Sequence, residues 1–223
     1  VAIGYQSLFS NIGGNENVAI GYKSLFSNIG GIQNVAIGYQ CLNENQASYN
    51  TAIGLRCSYW NSFGQYNVTI GYKCLEGGDA NIYTDTNANV AIGYQCGLFV
   101  GTSAINNVLI GFECAKASTG AGKFVGDNNT YVGYQCGFVN TNGSENVAIG
   151  TNCLDSNTTG NQNVAIGKEC LQSNVSGESN VAIGYQCLDK NQESFNTAIG
   201  YQSLFSNTFG NQSVAIGYQS LFS

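Results

Sequence analysis

The chain of 223 residues contains no proline, no histidine and no methionine, and only 9% of its residues are charged. Ordinary soluble domains carry about 25% charged residues. The lack of histidine removes the commonest general base and the commonest metal-binding side chain. Seven Lys and Arg residues stand against 13 Asp and Glu, which gives a net charge of −6. A nucleic-acid binder needs a basic face to neutralise phosphates, and this chain cannot build one. The same composition argues against binding to an anionic membrane surface.

The sequence also lacks a signal peptide and any apolar run approaching the ~18 residues of a membrane span. Because it begins at Val1, we expect it to be a slice of a longer protein. Its carboxylates are scattered, and we find no pair in a pattern suited to glycoside hydrolysis. We therefore predict a protein that is not an enzyme, with no catalytic residues, no cofactor and no metal.

What the sequence does contain is an internal repeat along its whole length. The unit reads Val-Ala-Ile-Gly-Tyr-Gln-(Ser/Cys)-Leu, and most units are 17 residues long. Thirteen units begin at residues 1, 18, 35, 51, 68, 90, 108, 130, 147, 164, 181, 197 and 214. Twelve are full and the thirteenth is truncated, with no linker between them. We predict a single repeat domain over residues 1–223.

The columns of the repeat predict short strands and tight bends. The fourth position is always glycine, as at Gly4, Gly21 and Gly167, which marks a sharp bend or a close backbone approach. The first and third positions alternate around a small residue with period two, which is typical of a strand. We expect these Val and Ile side chains, for example Val164 and Ile166, to face the core.

Each unit is too short and too rich in Gly and Asn for a helix. We predict an all-β fold, a parallel β-solenoid or β-roll of twelve ~17-residue coils plus a partial coil, each coil having two short strands and two turns. At ~4.8 Å per coil the rod is about 60 Å long. Leu and Phe at positions eight and nine (Leu8, Phe9, Leu204, Phe205) and Tyr at position five would line its sides. Exposed apolar stripes mark interfaces, which favours a homotrimer.

Two polar columns run through the repeat. Asn precedes nearly every unit, as at Asn17 and Asn163, and stacked amides are expected to hydrogen-bond along the rod. Nine consecutive units carry Cys at position seven, among them Cys41, Cys57, Cys153 and Cys170. This is a structural ladder without zinc-ligand spacing. Buried free thiols and disulfides both remain open, because stacked Cα atoms ~4.8 Å apart fit a disulfide.

The unit Asn-Val-Ala-Ile-Gly-Tyr-Lys-Ser over residues 17–24 resembles the head repeat of trimeric autotransporter adhesins, whose motif is Asn-Ser-Val-Ala-Ile-Gly-x-x-Ser. Similar repeats occur in tail and surface fibres of phages and large viruses. The resemblance implies a left-handed parallel β-roll, a homotrimer and adhesive function. This chain departs from the motif in its longer coil, in Asn directly before Val, and in Cys where the family has Ser.

These patterns favour a structural shaft or head segment of an extended fibre on a cell or virion surface, outside the cell, continued end to end and with an adhesive role. The alternative is a lectin-like module that recognises a host glycan or matrix protein. Its binding loops would be residues 77–87 and 116–128, the extra segments of the two units that are 22 residues long. The candidate binding residues there are Asp79, Asn81, Tyr83, Asp85, Lys123 and Phe124. The Tyr column is either a carbohydrate-stacking stripe or part of an interface or a coil corner.

Overall fold

A computed structural model describes residues 1–77, 85–117 and 123–222 and contains thirteen β-strands in one parallel sheet, arranged in chain order. The described residues contain no helix. The strands are β1 Ala2–Ile3, β2 Val18–Ile20, β3 Val35–Tyr39, β4 Thr51–Leu55, β5 Val68–Tyr72, β6 Val90–Tyr94, β7 Val108–Phe112, β8 Thr130–Tyr134, β9 Val147–Thr151, β10 Val164–Lys168, β11 Val181–Tyr185, β12 Thr197–Tyr201 and β13 Val214–Tyr218.

Neighbouring strands pair in the register of the repeat. Between β10 and β11, Val164 pairs with Val181 and Gly167 pairs with Gly184. Every coil therefore places the same repeat position directly above its equivalent in the coil below. The prediction of an all-β parallel solenoid of about twelve turns is confirmed.

Each coil contains one strand, so the prediction of two strands per coil is wrong. The rest of the coil is turn structure that still bonds to its neighbour: the backbone N–H of Leu42 donates to the carbonyl of Cys57 at 3.1 Å, and that of Glu44 to Tyr59 at 3.1 Å. The physical reason is local. Positions six and eight have left-handed backbone, as at Gln40 (φ 54°) and Leu42 (φ 49°), and an extended strand cannot contain such residues.

The left-handed residues form continuous columns. Position eight is left-handed in every unit, including those where Gly97 (φ 61°) and Gly137 (φ 59°) replace leucine. Position six also has left-handed backbone in every unit. So does the residue that precedes the Asn column, two places before the start of each unit from the second onward. None of these positions carries Val, Ile or Thr, because a branched Cβ would clash in this conformation.

The core lies on the opposite side of the strands from the predicted one. In β10 Ala165 is completely buried, whereas Val164 and Ile166 are only partly buried and lie on the outer side. The prediction that Val1, Ile3 and their equivalents face the core is therefore wrong. The interior of a 17-residue coil is narrow, and the position-eight leucines, such as Leu171, already fill it. Opposite these leucines the inward strand position carries Ala or, beside Leu75, the small residue Thr69. The leucines Leu8 and Leu204, expected on the sides of the rod, belong to this core, while Phe9 is exposed.

Two coils show the limited volume of the core by compensating changes. Tyr131 replaces the inward Ala of β8 and is fully buried, and position eight of the same coil is Gly137. A Cβ on Gly137 would lie 2.3 Å from Cε2 of the Tyr131 ring. Likewise, Leu109 takes the inward place in β7, and a Cβ on Gly97 would lie 3.1 Å from its Cδ1 atom. A large residue at position two therefore requires a small one at position eight nearby.

The glycine column lies where adjacent coils approach most closely. Gly167 has φ +128°, and a Cβ there would lie 1.8 Å from the carbonyl oxygen of Gly184. The equivalent distance from Gly21 to Gly38 is 2.0 Å, and from Gly4 to Gly21 it is 2.4 Å. The expected close backbone approach is confirmed.

The Asn column hydrogen-bonds along the rod as predicted. The side-chain oxygen of Asn146 accepts from both the backbone N–H (2.9 Å) and the Nδ2 (3.2 Å) of Asn163. Asn163 Nδ2 also donates to the carbonyl of Gly177 at 2.8 Å, and Asn17 Nδ2 donates to that of Gly31 at 2.8 Å. These amides thus connect each coil to the next inside the core, where backbone groups must find partners.

A second Asn column, which the repeat pattern did not lead us to predict, occupies position eleven. Asn174 Nδ2 donates to Oδ1 of Asn157 at 3.2 Å and to the carbonyl of Gly177 at 2.9 Å. The column comprises Asn11, Asn28, Asn45, Asn61, Asn140, Asn157, Asn174, Asn191 and Asn207. Asn recurs at position eleven in nine units, and this recurrence could have predicted the second column from the sequence.

Gly167→Ala is expected to lower the free energy of unfolding by at least about 2 kcal/mol, because it adds strained backbone to a backbone clash. Gly30→Ala is the matched control, since a Cβ at Gly30 meets nothing within 4 Å. Chemical denaturation followed by circular dichroism measures both. Equal stabilities of the two variants would contradict the role of the glycine column.

Candidate functional site

The outer side of the sheet is a largely apolar surface that runs along all thirteen strands. It is formed by the first, third and fifth residue of each unit, which are Val or Thr, Ile or Val, and mostly Tyr. Lys168 is the single charged residue among these positions. Contiguous exposed apolar surface of this kind is typical of interaction sites rather than of free solvent-facing protein. This outer face is our candidate functional site.

Aromatic rings form three stacks on the outer face. Their centroids are 4.9–5.4 Å apart and their planes are nearly parallel. The stacks are Tyr5–Tyr22–Tyr39, Tyr72–Tyr94–Phe112–Tyr134 and Tyr185–Tyr201–Tyr218. The Tyr column thus lies beside the Val and Ile columns on one surface.

The aromatic column is interrupted at Leu55 and again at the adjacent residues Thr151 and Lys168. The Lys168 ammonium lies 3.3 Å from Oε1 of Glu169 and 5.5 Å from the ring centroid of Tyr185. The Lys168 side chain is 52% exposed. Sequence reasoning did not single out Lys168, although a lone charge in three apolar columns was a visible signal.

The cysteine column is buried and unpaired. All nine Cys residues are fully buried and free. The Cys170 thiol donates to the carbonyls of Ile166 (3.4 Å) and Gly184 (3.3 Å). Ser24 makes the same two bonds, to Ile20 (3.2 Å) and Gly38 (2.8 Å). This shared geometry explains why Cys and Ser interchange at position seven. Cys41, Cys57 and Cys153 bond in the same way to the glycine of the next coil.

The thiol ladder is closed to solvent, and the direction of the pKa shift differs from one thiol to the next. Hydrogen bonds with the Cys41 and Cys74 thiols, together with burial, raise the pKa of the Cys57 thiol. Neighbouring thiols and burial likewise raise the pKa of Cys114 and of Cys170. Hydrogen bonds from neighbouring thiols lower the pKa of Cys74 and of Cys153 to about 4. All nine thiols are buried away from solvent, which limits their reactivity whatever the direction of the shift.

We therefore expect none of the nine thiols to react with Ellman's reagent in the folded protein, and all nine to react after denaturation. A count below nine in denaturant without reductant would reveal disulfides, and labelling of the folded protein would contradict the burial. Absorbance of the released thiolate gives both counts.

Charged side chains are concentrated beside the outer face, after the strands. Glu76 is buried and pairs with Arg56 (Nη2 to Oε1, 2.7 Å) and Lys73 (Nζ to Oε2, 3.4 Å). Burial raises the pKa of the Glu76 carboxyl against the opposing effect of these two cations. Farther along, burial raises the pKa of Asp155 to about 6, and burial and Glu169 raise that of Asp189. The coils of β9 to β11 carry five carboxylates against two lysines, so this part of the rod is acidic.

The predicted loop residues do not form one site among the described residues. Asp85 is exposed and accepts from Asn87 through its backbone oxygen at 3.0 Å. Lys123 is partly buried. Phe124 is completely buried and pairs with Val100, so its ring belongs to the core instead of a binding loop. The reason is that Val100 replaces the usual Asn of position eleven and makes this part of the core apolar. Asp79, Asn81 and Tyr83 lie outside the described residues.

Within the described ranges, no group of three or more His, Cys, Asp or Glu residues is placed to hold a metal ion. That part of the chain also has no helix long and apolar enough to cross a membrane. No family model, no curated protein and no solved structure matches the chain.

Proposed function

We propose that this chain is a segment of the shaft or head of an extended fibre on a cell or virion surface, in which the outer faces of three copies pack together around the fibre axis. The observation that carries the proposal is the nearly uncharged outer face of the sheet. A free rod would expose this surface to water along its full length, whereas an assembly would bury it.

The size of the outer face suits such an assembly. Thirteen strands at ~4.8 Å give about 60 Å, and five residues at ~3.3 Å give about 17 Å. The face therefore measures roughly 1,000 Å² per copy. Three copies that each divide it between two neighbours would cover about 3,000 Å² in all, against the ~1,600 Å² of a standard two-chain interface. Closed cyclic symmetry lets each copy use this single face. The number of three copies and the adhesive role follow from the resemblance of the repeat to adhesin heads.

The stacked coils supply the mechanical part of the function. Each coil is bonded to the next through its strand, its turns and two columns of Asn side chains. Because these bonds run along the rod, pulling on the fibre loads many hydrogen bonds together. Such a rod is suited to presenting sites at a distance from the surface that anchors it.

Ile110→Lys is expected to separate the assembly into folded monomers, because it places a charge in the middle of the outer face without filling the core. The sedimenting mass should fall threefold while the circular dichroism spectrum is unchanged. Sedimentation velocity at micromolar concentration measures the mass.

Val175→Lys is the matched control for this substitution. Val175 is exposed on a turn away from the sheet, so its replacement should leave the assembly intact. A wild-type protein that sediments as a stable monomer would refute the proposal.

A second candidate function is glycan binding, favoured by one aromatic pair outside the outer face. Tyr49 and Tyr66 stack with centroids 5.0 Å apart, and both are exposed. Apolar ring faces with wettable edges suit sugars. If the wild-type assembly binds on a glycan array, Tyr49→Ser with Tyr66→Ser should abolish the signal without changing its sedimentation. Binding that survives this double change would exclude the pair as the glycan site.

A further inference from the structure

An assembly through the outer face meets a problem of register. The face repeats with every coil, so sliding one copy by a single coil, ~4.8 Å, replaces Val by Val, Ile by Ile and mostly Tyr by Tyr. Strand surfaces without distinguishing features specify register weakly. Only the interruptions of the columns can make one axial position better than the others.

We propose that Lys168 fixes the axial register and the parallel orientation of neighbouring copies, by pairing with Glu178 of a second copy of this chain. This inference rests on the proposed assembly through the outer face. Lys168 is the one charge on that face, and Glu169 of its own chain supplies a single acceptor oxygen at 3.3 Å. The other oxygen of Glu169 already accepts from Gln186 at 2.7 Å. The ammonium therefore has donors left for a neighbour.

The carboxylate of Glu178 is available at about the right height. Glu178 precedes β11 and is exposed, with Oε1 accepting from Asn161 at 2.9 Å. It lies at the entry edge of the sheet, whereas Lys168 ends β10 at the exit edge. In a ring of parallel copies the exit edge of one copy faces the entry edge of the next, so each Lys168 meets one neighbouring Glu178.

Sliding by one coil removes this carboxylate. In the column that contains Glu178, the residue one coil below is Asn161 and the residue one coil above is Ser194. Neither is charged. A slide that presents Asn161 leaves the Lys168 ammonium with Glu169 of its own chain as its countercharge. A slide that presents Ser194 offers Glu193, the residue before it, whose side chain is only partly exposed, whereas Glu178 is exposed. Covering a charge without a well-placed partner is disfavoured, so the unshifted register is the better one.

Reversing one copy is also disfavoured. A fully overlapped antiparallel pairing places β10 opposite β4, because the reversal centres on β7. Lys168 would then meet the level of Arg56, which directly follows β4. Like charges at an interface oppose association, so the same lysine selects the parallel arrangement.

The test maps contacts between copies by photo-crosslinking. Benzoylphenylalanine at Tyr39, in the third coil, is irradiated in the assembled protein, and the joined peptides are identified by mass spectrometry. The coils differ enough in sequence to be told apart. We expect the crosslinks of the wild-type background to fall within a window one coil wide, at or next to the third coil. An antiparallel arrangement would instead give crosslinks near the eleventh coil.

Lys168→Tyr, which restores the aromatic column, and Glu178→Gln, which removes the countercharge, should each raise the share of crosslinks outside that window at least threefold. Lys190→Tyr is the matched control, because Lys190 lies on a turn off the outer face and should leave the pattern unchanged. Unchanged crosslinks in Lys168→Tyr or Glu178→Gln would overturn the inference, as would scattered crosslinks in the wild-type background.

Sedimentation of the same samples separates this inference from the proposed function. A monomeric wild-type protein overturns both. A trimer whose register does not depend on Lys168 or Glu178 overturns only the inference.

Discussion

The close stacking of one glycine peptide on the next is the constraint on which the rest of the structure depends. At Gly167 a Cβ would lie 1.8 Å from the carbonyl of the coil above, so no other residue fits without moving the coils apart. Coils held at this spacing bring equivalent positions into register. Identical side chains then form ladders, and the Asn, Cys and aromatic columns are all consequences of that spacing.

A narrow interior follows from the short coil and reverses the usual distribution of large and small apolar residues. Ala165 lies inside with Leu171, while Ile166 remains partly exposed outside. The pairing of Tyr131 with Gly137 shows that the interior volume is nearly constant from coil to coil. The surplus of Val, Ile and Tyr on the outside is the physical basis for proposing an assembly.

The buried polar side chains complete the backbone instead of forming a reactive centre. Asn163 bonds to the coils on both sides of it, and Cys170 donates to the carbonyl of Gly184. The hydrogen bonds of Asn163 and Cys170 offset the cost of burying these polar groups. On the outside, Lys168 and the carboxylates near β9 to β11 distinguish otherwise similar coils.

The sequence by itself determined the parallel stacking, the Asn ladder at Asn163 and its equivalents, and the glycine column. Each follows from a column of identical residues at a fixed period, which only stacking explains. The direction in which the strands face was decided by the tertiary structure. Both sides of the Val-Ala-Ile-Gly strand are apolar, so periodicity could not choose between them, and hydrophobicity favoured the wrong side. Only the volume left inside by Leu171 and its equivalents turns Ala165 inward and Ile166 outward. Sequence periodicity was equally unable to place the candidate site residues. Phe124 was predicted in a loop, and only the structure shows that it packs in the core beside Val100. The position of Lys168 on the outer face likewise follows only from the direction in which β10 faces.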